Sequence, residues 1–190
     1  MSTGTLLLAI IVGTVLYLIY LYNRLVSLRQ SADAAWSDID VQLKRRYNLI
    51  PALVDTVKGY KDYEAETLEK VIKARQMGLS AQSVKEHEAA DNMLTQALGR
   101  LFALAEAYPD LKANVNFLDL QQQLSQIEEA IQNARRYYNA VVRDYNTRLE
   151  SFPDLFIARK FHFRPKEFFE LDEAEAEAVK KMPKIDFDKS

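Results

Sequence analysis

The chain of 190 residues has no cysteine. A disulfide framework, a thiolate nucleophile and a cysteine-linked lipid anchor are therefore excluded, and the redox compartment cannot be read from thiol usage. Breakers are scarce as well, with five Gly and five Pro. A sequence so poor in turn formers and so rich in Leu, Ala, Glu, Lys and Gln is predicted to be mostly α-helix. Net charge is also small: −2 formally, with a pI near 5.8. That gives no global attraction to nucleic acid or an anionic surface, and no basic stripe with interleaved aromatic residues compensates, so no nucleic-acid partner is expected. Charge is entirely missing from Met1 to Asn23.

What fills that uncharged stretch is an apolar run, Leu6 to Tyr22. As a helix rising ~1.5 Å per residue it covers most of a ~30 Å hydrocarbon core. Tyr17, Tyr20 and Tyr22 sit toward one end, where aromatic rings favour the headgroup level. No Lys or Arg precedes the run, whereas Arg24, Arg29, Lys44, Arg45 and Arg46 follow it. By the positive-inside rule the N-terminus lies outside and the body is cytoplasmic. A cleaved signal peptide is the competing reading, since Ala32-Asp33-Ala34 has the A-x-A form, but it lies far past the apolar run and no basic segment precedes that run.

The remaining residues, about 165, suit one domain with its own core. The division expected is an anchor at 1–23, an antiparallel helical bundle at 24–150 and a Phe-rich tail at 151–190 packed on that bundle. Phe117, Leu120, Leu124, Ile127, Ile131, Ala134, Tyr138, Val141 and Tyr145 alternate at spacings of three and four, which predicts a long helix over about 114–150 with a coiled-coil-like seam. Leu25 to Ile50 predicts a first body helix continuous with the span. Leu53 to Ile72 predicts a second, closed near Gly78 as a C-terminal cap. A third runs from Ser83, which forms a capping box with Glu86, to just before Pro109. Pro51 either kinks a helix or ends one. The break is preferred, with Asn48 as a left-handed cap and Pro51 opening the next helix, because it yields four helices of similar length, as an up-and-down four-helix bundle requires.

Seven of the nine phenylalanines lie beyond position 150, and Pro153, Pro165 and Pro183 interrupt that region. The tail is expected to be an irregular apolar wrap with one short helix from Asp172 to Lys180. It serves either as a lid on the bundle or as a docking surface.

The chemically densest segment runs from Trp36 to Arg46. Asp40 and Lys44 stand four apart, acid first, and support the helix. Asp38, Asp40, Lys44, Arg45 and Arg46 form the candidate interaction surface, with Trp36 and Ile39 on another face; the alternative is that Trp36 is core and the charges pair within the bundle. Arg24 and Arg29 are the candidates for lipid headgroup contact, because Lys44 stands about 33 Å beyond Tyr22 along a straight helix, well outside an ~8 Å Debye length. His87-Glu88-Ala-Ala-Asp91 resembles a zincin motif without its second histidine, and His162 is the only other one. No metal or cofactor is expected from that ligand set. Neither a Gly-rich phosphate loop nor a nucleophile elbow occurs. An enzyme using bundle carboxylates is the alternative to a non-enzymatic protein.

From Tyr22 to Tyr60 the sequence reads YNRLVSLRQSADAAWSDIDVQLKRRYNLIPALVDTVKGY. This stretch resembles the LemA family, as do Tyr63-Glu64, Ala107 to Asn114, Arg135 to Asn146, Phe152-Pro153 and Ala158. The resemblance covers nearly the whole chain. It implies a single-pass protein of the bacterial cell membrane with an up-and-down four-helix body. The family has no established catalytic activity, and one branch is associated with magnetosome membranes. The expectation overall is a membrane-anchored scaffold that self-associates or binds protein partners.

Overall fold

A computed structural model describes residues 3–60 and 65–170. Every regular element among them is helical: α1 (Thr3–Lys58), α2 (Ala65–Ser80), α3 (Val84–Ala105), α4 (Pro109–Lys112), α5 (Val115–Glu150) and α6 (Asp154–Lys160). Composition predicted this helical character. The short helix expected from Asp172 to Lys180 lies outside the described residues.

α1 is one helix of 56 residues, about 84 Å long at ~1.5 Å per residue. The preferred break at Asn48 to Ile50 is thus wrong, and two physical reasons account for the continuity. First, the buried stripe Leu43, Tyr47, Ile50, Val54 and Val57 keeps its helical spacing straight across Pro51, so both halves bury one face against the same neighbours. Second, proline cannot donate to the carbonyl four residues before it. That carbonyl, on Tyr47, accepts instead from Arg75 Nε of α2 at 2.9 Å. Pro51 itself faces solvent. α1 ends at Lys58, and just past it Tyr60 N–H closes a turn onto the Val57 carbonyl at 3.1 Å.

α2 packs along α3, and α1 packs chiefly along α5. Gly78 was expected as a helix cap, but α2 continues to Ser80 and Gly78 is buried within it. Its role is steric, since a Cβ there would overlap the Tyr47 ring. α3 begins as predicted: Ser83 accepts from Glu86 N–H, and the Glu86 carboxylate accepts from Ser83 N–H at 3.2 Å. Asn114 caps α5 through Phe117 N–H at 3.0 Å, and its amide also donates to the Tyr60 hydroxyl at 2.9 Å, pinning the end of α1 to the start of α5.

α5 spans 36 residues. Its buried face differs from the predicted seam in its second half, where Arg135 and Val142 are buried and Ala134 and Val141 only partly so. A straight helix drifts by ~20° per heptad against a 3.5-residue repeat, which moves the contact line by one position. One core joins α1, α2, α3 and α5. A smaller one joins Leu21 and Leu25 of α1, Tyr145 and Leu149 of α5, and Ile157 and Ala158 of α6. There α2 and α3 do not reach.

The apolar part of α1 stands clear of the body. Leu6 to Tyr20 are exposed throughout. A core helix of that composition would be covered by protein, so this helix has the length and composition to cross a membrane and no protein to cover it. Ala32, in the A-x-A triplet, is fully buried in the continuous helix.

Candidate functional site

Four charged side chains meet inside the body. Arg46 of α1 donates to Asp91 Oδ1 of α3 at 2.6 Å and pairs with Glu128 Oε2 of α5 at 2.9 Å. Arg135 of α5 reaches the other Asp91 oxygen at 3.4 Å. The side chains of Arg46, Asp91 and Arg135 are all less than a tenth exposed. Two cations and two carboxylates balance, which is the condition for keeping such charges out of water. Burial pushes the Asp91 carboxyl above its ordinary value, and Arg46 pulls against that shift. Tyr47, next along α1, carries a buried phenol without a hydrogen-bond partner; burial first and Asp91 second hold its pKa far above the ordinary range. Arg46 and Glu128 also floor a groove of about 360 Å³ flanked by Thr95, Gly99 and Phe102 of α3 and by Gln121 and Ser125 of α5. Asp91 does not line that groove, and both its oxygens are engaged, which leaves it poorly placed as an acid or base.

An aromatic cluster adjoins these charges. Trp36 is half-buried, its ring 5.5 Å from His87, 5.6 Å from Tyr138 and 5.8 Å from Phe169. Arg135 Cζ stands 4.8 Å from the centre of the Phe169 ring, within cation–π range. Phe169 is fully buried. Burial also lowers the His87 pKa. Among the described residues no group of three or more His, Cys, Asp or Glu could hold a metal ion.

Phe169 is delivered by an extended strap, residues 163–170, that α5 holds through a repeated pair of side chains. Tyr138 and Tyr145 donate to the carbonyls of Glu167 and Arg164 at 2.8 and 3.0 Å. Asn139 and Asn146 each make two bonds, to the N–H and carbonyl of Phe169 and of Lys166 respectively, all at 2.8 or 2.9 Å. The registers agree: seven helical residues and three extended ones each advance about 10 Å. Lys166 pairs with Asp33 of α1 at 2.5 Å, and Glu170 N–H donates to Glu88 of α3 at 3.0 Å. The strap leaves α6 through His162, whose φ of 55° closes the helix; Phe163 N–H reaches the Ala158 carbonyl and His162 N–H that of Arg159. That is a Schellman closure with histidine in the left-handed position.

The residues proposed from sequence separate. Asp38 and Arg45 are exposed. Asp40, partly buried, pairs with exposed Lys44 at 2.6 Å one helical turn on, and Arg45 donates to Gln42 at 3.1 Å. Arg46 does not belong with them. It is 3% exposed, because its position continues the stripe Ile39, Leu43, Ile50 into the core, where Asp91 and Glu128 compensate it. Arg24 is half-buried and lines a cleft of about 740 Å³ with Tyr20, Asp144 and Arg148. Arg29 is exposed, with its guanidinium 5.3 Å from the Phe163 ring centre. Glu128, Arg135 and the Tyr-Asn pairs of α5 are not among the residues proposed from sequence, and Asp91 enters there only as the position where a zincin motif would carry its second histidine. A signal exists for two of them: Asp91 falls in register with the apolar stripe Leu94, Leu98 and Leu101, and Tyr-Asn recurs at 138–139 and 145–146.

An apolar helix of spanning length, bare of protein and continuous with a body whose described elements are all helical, is the form of a membrane-associated helical protein. The sequence matches the LemA family over residues 35–187, and the chain belongs to that family. It is 28% identical to Protein LemA of Metamycoplasma hominis, over 85% of this chain and 75% of that protein. It is 24% identical to Magnetosome protein MamQ 2 of Paramagnetospirillum magneticum and 25% identical to Magnetosome protein MamQ of Magnetospirillum gryphiswaldense, each over 84% of this chain and 68% of the relative.

Proposed function

We propose that this protein is a single-pass membrane scaffold with an outward N-terminus and a cytoplasmic body. In this reading α1, α2, α3 and α5 form an up-and-down four-helix arrangement that presents the outer face of α1 to a protein partner or another copy. The observation that carries it is the continuity of α1, which joins the apolar segment to Asp38, Val41, Lys44 and Arg45 in one helix. Such a rod fixes the height and direction of that face relative to the bilayer. Val41 supports the same reading, since it is 53% exposed in the middle of a charged surface, as the apolar centre of a polar-rimmed contact would be. The Lys and Arg that follow the span support the orientation.

The test is a photo-crosslinking residue in place of Val41, activated in native membranes. One adduct of defined size is expected, diminished when Asp38, Lys44 and Arg45 are reversed in charge. Adducts indifferent to that reversal would count against the α1 face as the contact surface.

A further inference from the structure

We infer that the turn around α6 is a second membrane contact, an aromatic collar immersed in the interfacial layer of the bilayer that seats the base of the body on the lipid. The inference rests on the reading of Leu6 to Tyr22 as a span. Its own evidence is the position and exposure of α6. Phe161 meets Tyr22 edge to face with ring centres 4.8 Å apart, and Ile157, Lys160 and Phe161 wall a cleft of about 370 Å³ whose other wall is Leu18, Ile19 and Tyr22. The element therefore stands level with the last turn and a half of the apolar run, at the depth where the chain leaves the hydrocarbon.

On the side away from the body α6 shows the wrong residues for water. Phe152 is 80% exposed, Phe156 63% and Phe161 55%. Phe152 and Phe156 pack on each other at 5.9 Å and stay largely exposed among the described residues. Ile157 and Ala158, on the opposite face, are buried against α1 and α5, so the outward rings are not a core displaced. Arg159 and Lys160 are exposed beside them. Apolar aromatic rings flanked by cations, with stems long enough to carry charge to phosphate, are the chemistry of an interfacial lipid contact. Continuity with the span selects lipid over another occupant, because the same bilayer that covers Leu18 and Ile19 extends around α6.

Because the chain lacks cysteine, single replacements report depth directly. Nitroxide labels are attached to the full chain carrying Phe152→Cys, Phe156→Cys, Leu16→Cys or Arg45→Cys, each in vesicles of phosphatidylcholine with a minority of phosphatidylglycerol. Collision with oxygen and with a water-soluble nickel chelate is then measured. Labels at 152 and 156 are expected to be several-fold less accessible to nickel than the label at 45 and more accessible to oxygen, with depths between 45 and 16. Nickel accessibility equal to that at 45 would overturn the collar, as would protection from both reagents, which would mean protein covers the site. An aqueous label at 16 would instead overturn the span reading itself.

Discussion

Arg45 and Arg46 are adjacent and chemically identical, and the fold gives them opposite roles. Arg45 stays in water, so Arg45→Glu is expected to leave the denaturation midpoint within about 0.5 kcal/mol of the parent, the usual range for a surface change. Arg46→Glu places a third carboxylate beside Asp91 and Glu128 and leaves one buried cation to answer them. Breaking a buried pair costs about 3 to 5 kcal/mol, and chemical denaturation of the detergent-solubilised chain measures both variants. Equal midpoints would contradict the burial of Arg46. Gly78 makes a steric counterpart: Gly78→Ala is expected to cost about 1 to 3 kcal/mol by overpacking against the Tyr47 ring, and the cost should shrink in a Tyr47→Leu background. At this scale the sequence was partly legible. The sequence reading puts Arg46 in the outer charged surface and runs the α5 seam through Ala134, whereas Arg46 and Arg135 are both buried; Asp91 falls in register with the apolar stripe Leu94, Leu98 and Leu101. Their mutual pairing was not legible, because the partners come from three different helices and only the packed structure brings them within 4 Å.

Elements were legible where local rules dominate. The Ser83 and Glu86 capping box, the start of α5 near Asn114 and the first half of the α5 seam follow from short-range chemistry, whereas the second half shifts by one position. The break at Pro51 was misjudged because local rules favoured it, while a distant residue, Arg75, satisfies the carbonyl that proline leaves free. The strap was legible only as an aromatic-rich irregular segment; its register depends on the Tyr-Asn repeat of α5. Replacing Asn139 and Asn146 by Ala is expected to release residues 163–170 with helix content retained. Hydrogen exchange at the Lys166 and Phe169 amides reads that release, and unchanged protection would show that the asparagines do not hold the strap. Alkali should act on the same element. The Tyr138 phenol is pushed up to about 12, chiefly by burial and further by the carboxylates of Glu167 and Asp33, whereas an unfolded tyrosine titrates near 10. A raised folded-state value means the neutral phenol is favoured by folding. Its contribution is complete below about pH 10 and lost as pH rises through about 12. Phenolate absorbance at 295 nm should therefore rise in two stages, the later one coinciding with exchange of the strap amides.

At the scale of the molecule, composition and the uncharged first 23 residues already specified a helical body behind an apolar segment. What they left open was how rigidly the two are joined. A helix ending at Asn48 would fold residues 51–58 back beside the first body helix, whereas the single helix α1 carries them about 50 Å beyond Tyr22 at ~1.5 Å per residue. The second arrangement makes the membrane segment, the charged outer face and the contacts to Asn114 parts of one rod. Electron–electron distance measurement tests that directly, with nitroxides introduced by Gln30→Cys and Asp55→Cys in the full chain held in lipid nanodiscs. Both sites are exposed and flank Pro51. A narrow distribution centred near about 37 Å between backbone positions is the result the continuous helix predicts; a population below about 28 Å would mean that α1 breaks at Pro51 and that the rod does not exist.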